Sequence, residues 1–452
     1  MLNEVVALDP TRLVIAAIIG LIILLVLIIR FKMPAMLAIL VGALLIGLGA
    51  GMSFEQIIDS VGEGVGNTLK SIALLVGLGA MFGSILEISG GVQTLAQTLV
   101  RRFGEKKAAW ALSITGLVVA IPVFFEAGLI ILIPIAFSLA RNTKRSTLHY
   151  VIPLLAGLAV GHAFIPPTPG PILVASMLGV DLGWVILVGA ACGLVAVVVA
   201  GPLWGARCGE KFFVPVPEHL AGQPEPDPSK LPGFWTVAGV ILIPLLLIVL
   251  KTLAGVIPAL APARRVLTFL GDPVVALTLA TLAAMVILGL KHGYTKEELS
   301  KVMTKSLEPT GLILLVISCG GVLRYILQNS GLGEVIGNAV VSSNMPLVLV
   351  AFVVAALVRI AIGSATVSMT MAAGIIAAMP GVSELPPLYL ACVVAAVAGG
   401  ATVCSHFNDS GFWLVKSLVG MDEKTTLKTW TLMETFVGVT GFLVALLISF
   451  FV

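Results

Sequence analysis

Apolar runs too long for a water-soluble core dominate this chain and leave few folds open to it. A bilayer-crossing helix needs about 20 successive, mostly apolar residues. Runs near that length occupy 12–29, 34–51, 68–88, 148–178, 184–204, 234–254, 273–290, 309–328, 386–419 and 430–451. They predict ten full crossings. Composition points the same way. Of 452 residues, 59% are hydrophobic and 11% charged, against about 45–50% and about 25% in soluble domains. An ordinary soluble enzyme and a disordered chain are both excluded, and lipid is the expected solvent partner. The net charge of +3 and the absence of a basic tail argue against a nucleic-acid partner.

Two of the ten runs, 148–178 and 386–419, are too long for one crossing and are interrupted in the middle. Two further apolar stretches, 108–140 and 346–379, are broken at their centres. The first break is Ile121-Pro122-Val123-Phe124-Phe125-Glu126; the second is Gly363-Ser364-Ala365-Thr366-Val367-Ser368. Lys and Arg concentrate in cytoplasmic loops. Arg101, Arg102, Lys106 and Lys107 precede 108–140, and Arg141, Lys144 and Arg145 follow it. Both its ends therefore read as cytoplasmic, which makes it a re-entrant hairpin. No Lys or Arg lies in 329–345 or 380–387, so 346–379 reads as a hairpin entering from the opposite side. In this topology Arg12, Lys70, Lys251, Arg264 and Arg265 lie outside and Arg324 and Arg359 within the membrane; the other basic residues are cytoplasmic. The first residues carry Glu4 and Asp9 but no Lys or Arg, and Arg30 and Lys32 follow the first run. That pattern reads as a signal-anchor, with both termini periplasmic in a bacterial inner membrane.

The two halves repeat one order of features. A gapless shift sets Ser89-Gly90 on Ser330-Gly331, Ala120-Ile121 on Ala361-Ile362, and Pro167-Thr168-Pro169-Gly170 on Asn408-Asp409-Ser410-Gly411. Five crossings per half is odd, so the repeats must be inverted. The expected fold class is an all-α polytopic membrane protein of two inverted repeats, 1–204 and 234–452, each with five spans, one of them broken, and one re-entrant hairpin. A Pro-rich cytoplasmic linker, 205–233, joins them (Pro215, Pro217, Pro224, Pro226, Pro228, Pro232). Stretches 89–107 and 329–345, amphipathic and outside the spans, read as scaffold arms. Inverted repeats with broken helices at mid-membrane mark secondary transporters.

The breaks locate the chemistry. Unpaired backbone groups at membrane depth are tolerated only where they line a cavity, and helix N-termini there favour an anion. Four prolines keep Ile165-Pro166-Pro167-Thr168-Pro169-Gly170-Pro171 from being helical. Its counterpart, Ser405-His406-Phe407-Asn408-Asp409-Ser410-Gly411, is polar within an apolar run. Intramembrane ionisable groups are costly and therefore candidates: Glu126 at the first tip and Asp409 at the second break. The plainer reading of each is a buried carboxylate satisfied by nearby N–H groups. Arg359 can clamp a carboxylate with two parallel bonds or pair with Asp409 or Glu126. His162 and His406 precede the two breaks and are either proton relays or satisfied core residues. Ser364, Thr366 and Ser368 suit hydroxyl recognition or back-bonding to helix carbonyls. Arg324 and Glu87 lie near span ends, where snorkelling or helix-end pairing accounts for them.

The five cysteines show no CxxC and no metal spacing, and read as packing residues. No cofactor and no metal is expected. The chain contains no Gly-Lys dipeptide, hence no phosphate-binding loop of that type, and no HExxH or GxSxG motif. An ion gradient is the remaining driver: protons fit the buried carboxylates, and sodium fits carbonyl-rich tips. A channel would show filter repeats around an oligomer axis rather than breaks inside inverted halves.

At these motifs the sequence resembles the gluconate permease family of proton symporters, within the wider ion-transporter superfamily. The carrying segments are Arg30-Phe31-Lys32, Phe125-Glu126-Ala127-Gly128, residues 162–171, Gly271-Asp272-Pro273, residues 357–367 and residues 405–413. The likeness runs over essentially the whole chain. It implies uptake of gluconate or a related small hydroxy-carboxylate with protons, an elevator motion and a homodimer. The residues expected to contact substrate are Arg359, Gly363, Ser364, Thr366, Ser368, Thr168, His406 and Asn408; those expected to couple the proton are Glu126, Asp409 and His162. Gluconate-type relatives commonly carry His at the position of Thr168. That departure, and family members that carry D-serine and other sugar acids, keep D-serine, glycerate and four-carbon sugar acids as alternative substrates.

Overall fold

The computed structural model describes residues 10–217, 231–343 and 345–452. The N-terminal segment with Glu4 and Asp9, and the linker prolines Pro224, Pro226 and Pro228, lie outside the described residues.

Every regular element among the described residues is helical. In chain order these are α1 (Pro10–Ile29), α2 (Ala35–Ala50), α3 (Phe54–Ile88), α4 (Gly91–Phe103), α5 (Ala108–Ala120), α6 (Phe125–Thr143), α7 (Leu148–Phe164), α8 (Pro169–Leu178), α9 (Leu182–Val198) and α10 (Trp204–Lys211). After the linker come α11 (Phe234–Val256), α12 (Arg264–Leu270), α13 (Pro273–Ala284), α14 (Lys296–Asn329), α15 (Leu332–Ser342), α16 (Leu347–Ile362), α17 (Ala365–Ala377), α18 (Pro387–Gly400), α19 (Ser410–Val419), α20 (Glu423–Thr426) and α21 (Leu432–Ser449). Nine described helices, counted with continuous extensions, are long and apolar enough to cross a membrane. The chain is a multi-pass membrane protein. On α1, Ile15, Ile18, Ile19 and Ile22 are exposed on one face, as a lipid-facing helix requires.

Helix ends fall where the local chemistry stops or starts them. Pro122 and the extended Phe124 separate α5 from α6. Residues 165–168 separate α7 from α8, and Pro169 opens α8 at a position where its missing N–H costs nothing. Gly363, in the left-handed region at φ 82°, ends α16, and the Ser364 side chain caps α17. The polar stretch after Thr402 ends α18, and Asp409 caps α19 through the Gly411 amide. The breaks thus fall at the positions where the sequence becomes polar or proline-rich.

Two helices outrun the apolar runs that announce them. The run 68–88 lies within the 35-residue α3, and 309–328 within the 34-residue α14. Capping boxes at Ser53 with Gln56 and at Thr295 with Glu298 start both helices in polar sequence well before the apolar part. At about 1.5 Å per residue each reaches about 50 Å, beyond the hydrocarbon thickness. They pack antiparallel along their length. Gly64 and Gly321 leave no room for a side chain at the crossing, and Asn67 and Asn329 donate to Tyr325 and Ser60 at 2.8 and 2.9 Å.

α5, α6, α8, α9, α16, α17 and α21 surround α7 and α18, both buried on nearly all sides. Their even apolarity, with no polar face, is the pattern of a helix packed all round. α5 packs on α7 through Gly116, Gly157 and Gly161; α16 and α21 pack on α18 through Gly399, Gly400 and Gly438. Small residues at such crossings let backbones approach closely within lipid. The two broken segments therefore lie within the packing, the first break against the first tip and the second break against the end of α16.

Candidate functional site

A cavity of about 310 Å³ lies beside both tips and the second break. Its walls come from the first tip (Phe125, Glu126), from α7 (His162), from the end of α16 and the second tip (Arg359, Gly363, Ser364, Thr366), from the second break (Asn408, Asp409) and from Trp430 and Glu434. The starts of α6, α17 and α19 all reach this cavity. Each N-terminus carries partial positive charge on unpaired N–H groups, and no side chain caps α6. The start of α8 lines a second, smaller space of about 20 Å³ with Pro122, Pro167 and Thr168; His162 borders both.

Arg359 is 3% exposed on the last turn of α16. Its Nη2 donates to Asp409 Oδ2 at 2.5 Å, and its Nη1 donates to the Gly363 carbonyl. Its Nε is buried and, among the described residues, has no hydrogen-bond partner. Asp409 is a multiple acceptor. Besides Arg359 it takes the Ser405 hydroxyl on Oδ2 and the Gly411 amide on Oδ1, the latter at 2.9 Å. The Trp430 indole N–H donates to Ser405 at 2.7 Å, and the Thr431 hydroxyl donates to the Ser405 carbonyl. One carboxylate therefore ties α16, the break and the turn before α21 together.

That turn is a π-helical segment, Leu427–Thr431, between α20 and α21. Such segments insert extra backbone into a helix and recur at functional sites. Here it carries Trp430 to the cavity wall, against Phe125 at 5.6 Å between ring centroids.

Of the residues singled out in the sequence, Glu126, His162, Arg359, Gly363, Ser364, Thr366, Asn408 and Asp409 line this one cavity. Glu126 is exposed on the first turn of α6. His162 Nδ1 is buried and has no hydrogen-bond partner among the described residues. Asn408 Nδ2 also donates to the Ile360 and Ala361 carbonyls at 2.9 and 3.2 Å, which fastens the break to the end of α16.

Three singled-out residues lie off the lining. The Ser368 hydroxyl back-bonds to the Ser364 carbonyl at 2.7 Å and is fully buried. The Thr168 hydroxyl donates to the Ile165 carbonyl at 2.8 Å, inside the first break. His406 Nε2 lies 3.0 Å from the Ile360 carbonyl oxygen. Glu434, absent from the sequence reading, does line the cavity. The cost of intramembrane charge was the signal that could have found it, since it stands early in the run 430–451.

Helix breaks that surround a polar cavity inside a multi-pass bundle define a membrane carrier rather than an enzyme. A family model described as "GntP family permease" matches residues 12–451. The chain belongs to that family. It is 38% identical over 438 residues to the low-affinity gluconate transporter of Escherichia coli (strain K12), covering 96% of this chain and 98% of that protein. It is 34% identical over 431 residues to the Gnt-II system L-idonate transporter of the same organism, covering 95% and 97%. Among solved structures, its fold is similar to the YdaH transporter of Alcanivorax borkumensis, with a TM-score of 0.62 at 18% identity over 86% of this chain and 87% of that one.

Proposed function

We propose that the chain takes up gluconate or a closely related hydroxy-carboxylate together with protons. The observation that carries this reading is the convergence of three helix N-termini and Arg359 on one small cavity. Positive dipole ends and a guanidinium in a low-dielectric site select an anion. The substrate carboxylate takes the Arg359 donors left over from Asp409 and Gly363. Ser364, Thr366 and Asn408 read its hydroxyls, and the uncapped start of α6 supplies backbone N–H groups. Relatives described as gluconate and L-idonate transporters support a polyhydroxy acid.

Glu126, Asp409 and His162, the groups that the sequence offers for the proton, all border the same cavity. In the same reading the two halves are inverted repeats, the pairs α5–α6 and α16–α17 are re-entrant hairpins, and both termini face the periplasm of a bacterial inner membrane. The packing of α5 on α7 and of α16 on α18, with α3 against α14, supports that symmetry. A homodimer with an elevator motion of the cavity-bearing helices completes the proposal.

The test is uptake of radiolabelled gluconate by proteoliposomes, competed with L-idonate, D-serine, glycerate and four-carbon aldonates. Competition by gluconate and L-idonate alone supports the reading. Absence of gluconate uptake, or uptake that D-serine or glycerate blocks more strongly than unlabelled gluconate does, moves the substrate, with Thr168→His the first variant to examine.

A further inference from the structure

Among the described residues, Glu434 is the one buried carboxylate of this cavity that no hydrogen bond engages. It is 5% exposed, on the first turn of α21. Among the described residues it accepts no hydrogen bond and joins no ion pair, although it lies within electrostatic reach of Arg359 and Asp409. The titratable or charged groups around it are few. Glu126, His162, Arg359 and Asp409 share the cavity, and α9 and α18, which pack against α21, contribute the buried thiols of Cys192 and Cys392.

Charge in that space has one outlet. Arg359 is the only lysine or arginine among the described residues that line the cavity, and Asp409 already holds it. Asp409 in turn is engaged by three donors that build the break, and Glu126 opens outward. An ionised Glu434 has to share the guanidinium, because an unpaired buried carboxylate is costly. A protonated Glu434 leaves the guanidinium to an incoming carboxylate.

We propose that Glu434 carries the transported proton and competes, when ionised, with the substrate carboxylate for Arg359. This deepens the transport reading above and rests on it. The bookkeeping closes: empty with Glu434 ionised, and loaded with Glu434 protonated, the site holds the same net charge, because the proton cancels the charge that the substrate brings. Those two species are the ones able to cross. Empty and protonated, or loaded and ionised, the site differs from them by one charge. The proton moves from water on one side to a Glu434 Oε atom and leaves to water on the other, with no covalent step.

Two measurements decide it. The first is calorimetric titration of the purified full-length protein with gluconate, in buffers of different ionisation enthalpy at one pH. By linkage, wild type takes up about one proton per gluconate bound at a pH alkaline enough to ionise the empty site, and E434Q takes up none. E434D, which keeps the carboxyl, retains proton uptake with a shifted pH profile. Equal uptake by wild type and E434Q overturns the proposal. The second needs no substrate. Infrared difference spectra of the empty protein between neutral and alkaline pH, a range in which solvent-exposed carboxyls stay ionised, should show the C=O band of a protonated carboxyl group, present in wild type, E126Q and D409N and absent in E434Q. A band that survives in E434Q, or a wild type without one, overturns the proposal. Wild type that binds no gluconate but shows the Glu434 band sinks the substrate reading and leaves the proton carrier standing. Should E434Q fail to fold, a displaced band in E434D supports the assignment and an unmoved one overturns it.

Discussion

Arg359 meets Asp409 where the second tip and the second break touch, and under the proposed transport function both residues serve structure and chemistry at once. Truncation and conservative replacement separate the two roles. Arg359→Ala leaves a largely buried carboxylate without its cation, and breaking such a pair costs about 3–5 kcal/mol; thermal unfolding in detergent should show a large drop. Arg359→Lys keeps the charge but loses the planar fork, so gluconate affinity measured by calorimetry should fall about tenfold or more. Gly363→Ala meets two penalties, a left-handed φ of 82° and the Asn408 backbone in the space of the new Cβ. Left-handed backbone alone costs about 1–2 kcal/mol for an L-residue, so the variant should unfold at lower temperature and transport poorly. The cost of intramembrane charge made Arg359, Asp409 and Glu126 legible in the sequence. The same argument holds for Glu434, but a single carboxylate in a strongly apolar run was absorbed into the span. Of the three hydroxyl residues near the second tip, Ser364 and Thr366 line the cavity, whereas Ser368, one turn into α17, back-bonds to the Ser364 carbonyl, the alternative its sequence position also allowed.

At the scale of elements, hydropathy located the helices and the breaks but not the polar turns that lengthen α3 and α14. Capping boxes at Ser53 and Thr295 were readable there, yet a search for apolar runs passes over them. The close packing of the first tip on α3 was not readable at all, because it rests on one glycine whose contact is distant in sequence. A Cβ at Gly83 would overlap the Pro122 carbonyl. Gly83→Ala should therefore displace the tip, with an overpacking cost of about 1–3 kcal/mol seen as a lower unfolding temperature and slower uptake. The α8–α9 corner offers a pH test. Burial pushes the Asp181 carboxyl up, but the Thr252 hydroxyl, the Gly183 amide and the Lys251 ammonium outweigh it and hold it below the usual carboxylate value. A depressed carboxylate contributes stability above its unfolded value and loses it as pH falls through the folded one. Unfolding temperature should thus fall less steeply in Asp181→Asn than in wild type as the pH drops below about 4, and the two should differ most at neutral pH. Parallel acid limbs would show that the corner contributes nothing.

Across the whole molecule, two buried half-helices carry the breaks into the packing, and the starts of α6, α17 and α19 open on one cavity. The account makes that cavity a site for an anion and a proton that travel together. One proton per substrate anion moves no net charge, so accumulation should follow the pH difference and ignore the membrane potential. The most direct test is radiolabelled gluconate uptake into proteoliposomes with the pH gradient and the potential set independently. The account predicts about tenfold accumulation for each pH unit, acid outside, at zero potential. A protonophore should abolish it once the potential is clamped, and a potential imposed without a pH gradient should drive none. Gluconate that equilibrates regardless of the pH gradient, or accumulates only with sodium or only with a potential, would contradict it.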